Sequence, residues 1–414
     1  MRSGIRRAGR DDATARAIGP RRVVAVIGAW AVVAGALAPH AFADDVAPKQ
    51  WYLAAMHASD MWKVSTGKGI KVAVVDSGVN PDTASLKGQV LTGEAPKAAS
   101  YGATKDYDGH GTTMAELIAG TGKAGGLKGL APDAKIIPFR IAYDSWKDEA
   151  EKKLTQSAAA AIRAAADSDA KIINLSFGGA GSRSEDADAV KYALSKGKLL
   201  FAATGNDGAT NDFYRDFPAA YPGVVGVSAA DESGTVTHFS QAGDYIDLAS
   251  PGQNVPAWCD TTFTSYCDGR GTSQASAIAS ASAALIWSAH PSWTADQVLR
   301  TMIDTAGRSW DKDKPSKYLG YGLIRPRLVL EKPGIDPGPA GVDPVSLEHG
   351  GSAATPAVPS SPASPARGPV AGGKEQGGGN TPWAIGGVAA GLVAIGAGVF
   401  AAIRTRRRSA HPHA

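Results

Sequence analysis

Four short segments carry side chains that could act together on an acyl group. Asp76 closes the apolar run Val72-Ala73-Val74-Val75 and precedes Ser77-Gly78. His110 lies in Asp108-Gly109-His110-Gly111-Thr112, Asn206 in Thr204-Gly205-Asn206-Asp207-Gly208, and Ser273 in Gly271-Thr272-Ser273-Gln274. Each has an ordinary use when taken alone: a turn-capping aspartate, a structural histidine, a turn asparagine, an N-cap serine. Together they form a complete hydrolytic set. A serine hydroxyl is a weak nucleophile until a base sits within hydrogen-bond reach, and the base needs a carboxylate to fix its tautomer and stabilise the imidazolium. The tetrahedral oxyanion needs donors, which an amide side chain and a backbone N–H at a helix start supply. The order Asp, His, Asn, Ser separates this set from two other arrangements of the same chemistry, and Gly-Thr-Ser lacks the Gly-x-Ser-x-Gly elbow.

Such groups must be held by regular elements. Compact apolar runs occur at Lys71 to Val75, Lys135 to Arg140, Lys171 to Leu175, Lys198 to Ala203 and Val224 to Ser228. Between them lie helical patterns at His110 to Ala119, Glu151 to Ala166 and Glu185 to Ser195. Two more follow, Thr272 to Ala289 and about Thr294 to Thr305, the second with Ser292 or Thr294 as N-cap. Strands alternating with helices predict an α/β fold, a parallel sheet covered by helices on both faces. Ligands of such sheets gather at the carboxyl ends of the strands, where Asp76 stands.

The charge balance bears on the class of partner. Residues 1 to 22 hold seven arginines and two aspartates, and Arg404, Arg406, Arg407 and Arg408 add four more positive charges. Setting those aside turns a total of +4 into −5 for the chain between, which gives no support to nucleic-acid binding. The arginine-rich start, the apolar run Val23 to Leu37 and Ala41-Phe42-Ala43 predict a signal peptide over 1–43. A short N-terminal extension (44–68) and a catalytic domain (69–332) follow, then a Pro/Gly/Ser/Ala-rich linker over 333–381 with no periodicity. The apolar stretch 382–403 is long enough to cross a bilayer and leads into the basic tail 404–414, so the expected protein is single-pass, with its catalytic domain extracytoplasmic and its tail cytoplasmic. Cys259 and Cys267, the two cysteines, are expected to form one disulfide in an exported chain. With no histidine near them a metal site is not expected, and no residue cluster calls for a cofactor.

From about Gln50 to Val329 the chain resembles the subtilisin-like serine proteases. The matching residues are Asp76 in Asp-Ser-Gly, His110 in His-Gly-Thr, Asn206 in Gly-Asn and Ser273 in Gly-Thr-Ser. Further matches are Ser176-Phe177-Gly178-Gly179, Phe239-Ser240 and Ala249-Ser250-Pro251-Gly252. The ends, with Gln50-Trp51, Met61-Trp62 and Thr66-Gly67-Lys68-Gly69, resemble the mycosin branch, the membrane-bound proteases of type VII secretion systems. The resemblance implies peptide-bond hydrolysis by a triad of Asp76, His110 and Ser273, with Asn206 in the oxyanion hole. It also implies that Ser176, Phe177 and Gly178 form an edge against the substrate backbone, and that the partners are protein or peptide substrates and a secretion membrane complex. A different class of function, a scaffold of that complex with a slow or dispensable site, stands beside it. Ala277 departs from the family, which usually has proline four residues after the nucleophile.

Overall fold

Side-chain alternation along extended runs decides the middle layer of the molecule. The computed structural model describes residues 46–96, 101–143, 146–210 and 214–345. Strands β1 (Lys71–Asp76), β2 (Lys135–Arg140), β3 (Ile172–Leu175), β4 (Leu199–Ala203), β5 (Val224–Ala230) and β6 (Leu248–Pro251) form one sheet in the order β2-β1-β3-β4-β5-β6. Every neighbouring pair is parallel. Successive residues of a strand point to opposite faces, so Val72, Val74, Ile136, Ile172 and Phe201 pack into one core and Ala73, Val75, Ile137, Ile173 and Leu200 into another. Near-continuous apolar strands are what a sheet buried on both faces requires.

Helices α1 (His110–Ala119), α4 (Thr272–Ala289) and α5 (Ala295–Thr305) cover the first face, and α2 (Ala158–Asp167) and α3 (Ser184–Ser195) the second. Helix α4 is small or apolar around its whole circumference and buried from Thr272 to Trp287, as a central helix must be. Helix α5 is amphipathic and closes its N-terminus with a capping box from Thr294 and Gln297.

Two readings of the sequence change. The run Glu151 to Ala166 is two helices, Glu149–Leu154 and α2, because Asp148 and Ser157 each cap a separate start. A strand, β6, and an antiparallel hairpin of β7 (Val255–Trp258) and β8 (Tyr266–Gly269) were not foreseen. Beyond Lys332 the chain still touches the fold: Gln297 Nε2 donates to Gly338 O at 2.8 Å, Arg300 Nη2 donates to Val342 O at 2.9 Å, and Val345 is buried. The expected signal segment, membrane helix and basic tail lie outside the described residues. Among the described residues, no helix is long and apolar enough to cross a membrane.

The start of the described chain is strapped across this body. Gln50 bonds both the N–H and the carbonyl of Lys128, and the indole N–H of Trp51 donates to Gln253 O and Asn254 O. Trp62 donates to Leu130 O at 2.8 Å beneath the Lys128 ammonium, and Ser65 donates to Leu285 O at 2.7 Å.

Candidate active site

Strand β1 ends at Asp76, whose side chain is fully buried. Its Oδ1 receives three donors: the Ser77 N–H at 2.7 Å, His110 Nδ1 at 2.7 Å and the Tyr143 hydroxyl at 3.1 Å. An ionised carboxylate can only accept, so Nδ1 carries a proton, and once the imidazole is neutral Nε2 has the lone pair of a base. Gly111 allows this approach, since a Cβ there would lie 2.2 Å from Gly78 O and 3.1 Å from Asp76 Oδ1.

A second aspartate aims the helix that carries His110. Helix α1 has Gly109 at its N-cap and no cap from that residue. Asp106 does the work instead: Oδ1 accepts from the N–H groups of Asp108 and Gly109 and from Ser77 Oγ, and Oδ2 accepts from the N–H and hydroxyl of Thr112. Ser77 Oγ in turn accepts from Gly111 N–H at 2.9 Å. Strand end and helix start are thereby buckled together around the imidazole.

The charges act on His110 in opposition. Burial, the largest single influence, pushes the imidazole down, but the charge and hydrogen bond of Asp76, with the charges of Asp108 and Asp106, outweigh it and raise it to about 9. Burial and the neighbouring Asp76 hold the Tyr143 hydroxyl well above its ordinary range, so it remains a donor.

Ser273 sits in the first turn of α4 and is 8 % exposed. Its Oγ donates to Ser176 O at 3.0 Å, and Ser176 Oγ donates back to Ser273 O at 3.0 Å. Asn174 continues this seam by donating to Ser176 Oγ and accepting from Ser276 and Ser280. Asn206, just past β4, is oriented by Thr272, whose N–H and hydroxyl both donate to Oδ1, at 2.9 and 3.2 Å. That leaves the amide nitrogen as an available donor.

All four foreseen residues come to one place in part. His110, Ser273, Asn206, Ser176, Phe177 and Gly178 line a single cavity of about 810 Å³, with Asp76 behind His110. The serine hydroxyl itself is turned to Ser176 rather than to His110. A change of one staggered χ1 well moves it, and such bonds often tighten only when substrate is present. Cys259 and Cys267 are bonded to each other across the β7–β8 hairpin, away from that lining. No group of three or more His, Cys, Asp or Glu side chains suited to a metal occurs among the described residues.

Sequence reasoning missed Tyr143, Asp106 and Asp216, a further lining residue. An acidic residue shortly before Gly109-His110 was a readable signal for Asp106. Tyr143, separated from Asp76 by 67 positions, offered none.

The subtilase family model matches residues 67–322. Minor extracellular protease Epr of Bacillus subtilis (strain 168) is 35% identical over 286 residues, 67% of this chain and 41% of Epr. Thermitase of Thermoactinomyces vulgaris is 31% identical over 272 residues, 64% of this chain and 92% of thermitase. The match thus spans less than half of Epr but most of thermitase. Among solved structures, MycP3 protease from the type VII (ESX-3) secretion system is similar at TM-score 0.56 and 27% identity, covering 71% of this chain and 90% of that one. MycP1 from Mycobacterium smegmatis is similar at TM-score 0.58 and 25% identity, covering 73% and 89%.

Proposed function

The chain belongs to the subtilase family, and from that premise we propose that it is a serine endopeptidase whose catalytic residues are Asp76, His110 and Ser273. The observation that carries this reading is the 2.7 Å bond from buried Asp76 to His110 beside a cavity that Ser273 and Asn206 also line. In the reaction, Ser273 Oγ leaves the Ser176 carbonyl, gives its proton to His110 Nε2 and attacks the scissile carbonyl carbon. Asp76 stabilises the imidazolium so formed. The oxyanion lies against Asn206 Nδ2 and the Ser273 N–H, and His110 then returns the proton to the leaving amine. Water, giving a proton to the same imidazole, then attacks the acyl carbon; the bond to Ser273 Oγ breaks, and Oγ takes the proton back from His110. The edge Ser176-Phe177-Gly178 is the place for the substrate backbone.

The structural likeness to MycP1 and MycP3 supports work at a type VII secretion complex on extracytoplasmic substrates. The stretch 382–403 is assigned as the anchor and 1–43 as the export signal. One observation favours a second reading, a scaffold with a slow or dispensable site: the Ser273 hydroxyl is engaged by Ser176.

Fluorophosphonate labelling of the full-length chain separates the two. The wild type should label covalently, and Ser273→Ala and His110→Ala should not. Turnover in Ser273→Ala should fall by about 10⁶, a magnitude known from subtilisin rather than derived for this chain. A folded wild type that takes no label would move the scaffold to the front.

A further inference from the structure

Asp216 is a buried carboxylate that the reaction above does not use. It is 3 % exposed and lines the same cavity as His110 and Ser273. Its position is defined by the two chain segments that edge the site. A Cβ built on Gly178 would fall 1.9 Å from Asp216 Oδ1, and one built on Gly205 would fall 2.5 Å from Oδ2. The carboxylate therefore lies between the substrate-backbone edge and the segment leading into Asn206. The next residue, Phe217, exchanges both backbone hydrogen bonds with Gly179, at 3.0 and 2.9 Å, which pins this floor to that edge.

Among the described residues, Asp216 Oδ1 has no hydrogen-bond partner, and no cation pairs with the group. The cations nearby are engaged elsewhere. Lys152, in the cavity lining, pairs with Glu149 at 2.9 Å, Arg183 acts on Asp186, and Arg215 pairs with Asp244 at 2.5 Å. A buried carboxylate with no cation beside it is costly, and a bound cation offsets that cost.

A substrate whose scissile carbonyl oxygen reaches Asn206, and whose backbone follows Ser176 to Gly178, sends the side chain of its acyl-side residue between Gly178 and Gly205. We infer that this pocket, floored by Asp216, selects lysine or arginine at the residue preceding the cleaved bond. The inference rests on the protease reading and narrows it to a substrate class.

Ionisation of the floor gives a second handle. Burial first, then the charge of Asp207, raises the Asp216 carboxyl to about 7, with the Gly179 N–H pulling the other way. The other groups facing it are Tyr214, whose hydroxyl donates to Asp207, and Tyr245, whose hydroxyl donates to Thr204 O and Tyr214 O. Neither brings a positive charge. Selection for a basic side chain should therefore strengthen as pH rises through about 7.

The test uses the full-length chain and peptide p-nitroanilides identical except for Lys, Arg, norleucine, Ala or Glu before the cleaved bond. For the wild type, kcat/KM for Lys should exceed that for its neutral near-isostere norleucine by on the order of 10²-fold or more. In Asp216→Asn and Asp216→Gly that ratio should collapse. A wild type that prefers norleucine or Ala, or a variant that keeps the Lys preference, overturns the inference while leaving the protease reading intact. Binding of p-aminobenzamidine to Ser273→Ala, read by its fluorescence, needs no turnover and should vanish in the Ser273→Ala/Asp216→Asn double variant. Binding without cleavage of any peptide would sink the protease reading and keep the cation pocket; no binding overturns the pocket.

Discussion

At the scale of single residues, the centre is tuned by what touches Asp76. Its Oδ1 is shared among Ser77, His110 and Tyr143, while Oδ2 is buried without a partner. The Tyr143 hydroxyl draws charge from the oxygen that His110 also uses. Tyr143→Phe keeps the ring and removes the donor, so Asp76 should hold the imidazole proton more firmly. The pH at which kcat/KM rises should move up by about half to one unit, the equivalent of one hydrogen bond; no movement would mean that the tyrosine only fills space. The same pair has a linked effect on stability. His110 is raised from 6.5 to about 9, so its contribution is complete below about 6.5 and is lost as pH rises through about 9. What could be read beforehand at this scale were residues whose neighbours in sequence announce them: glycines around His110, Gly205 before Asn206, a helix start at Ser273. Tyr143 and Asp216 owe their roles to the meeting of distant loops, which local spacing does not encode.

At the scale of elements, a buried tie links α1 to the disulfide-bonded hairpin. Glu116, six positions after His110, is fully buried; Oε1 accepts from Thr83 at 2.6 Å and Oε2 from Tyr266 at 2.8 Å. The hairpin approaches the same helix through the Trp258 N–H, which donates to Thr113 Oγ1 at 3.1 Å, and Trp258 stacks on Tyr266. Burial raises the Glu116 carboxyl from 4.5 to about 8, with the two hydroxyl donors opposing it. The unfolded chain therefore releases this proton at lower pH than the folded one, and stability falls as pH rises from about 4.5 to about 8. Glu116→Gln should flatten that slope, up to about 1.4 kcal/mol per pH unit, in urea unfolding measured across the range. An unchanged slope would mean that Glu116 is not the group responsible. Helix α5, with its capping box and amphipathic face, and α4, a long unbroken run of small and apolar residues, were legible. The strand Leu248–Pro251 and the hairpin were not, because strands of four residues, two of the three interrupted by proline, resemble turns.

At the scale of the whole molecule, two cores on either side of one sheet make the body, and the N-terminal strap closes over the first of them. Trp62 packs against that core while its indole donates to Leu130 O. Trp62→Ala should lower unfolding stability by about 3 kcal/mol in a denaturant titration, the lower end for a packed tryptophan. A loss near zero would show that the strap is merely laid on the surface. The strap has a further consequence in time. Its partners include Leu130, Gln253 and Leu285, so a chain emerging from its N-terminus makes this segment long before most of the surfaces it binds. Until Leu285 has followed, residues 50 to 65 cannot complete their contacts. A segment made among the first is therefore among the last to complete its contacts, and the chain stays without its native clasp until most of the folded body has been synthesised.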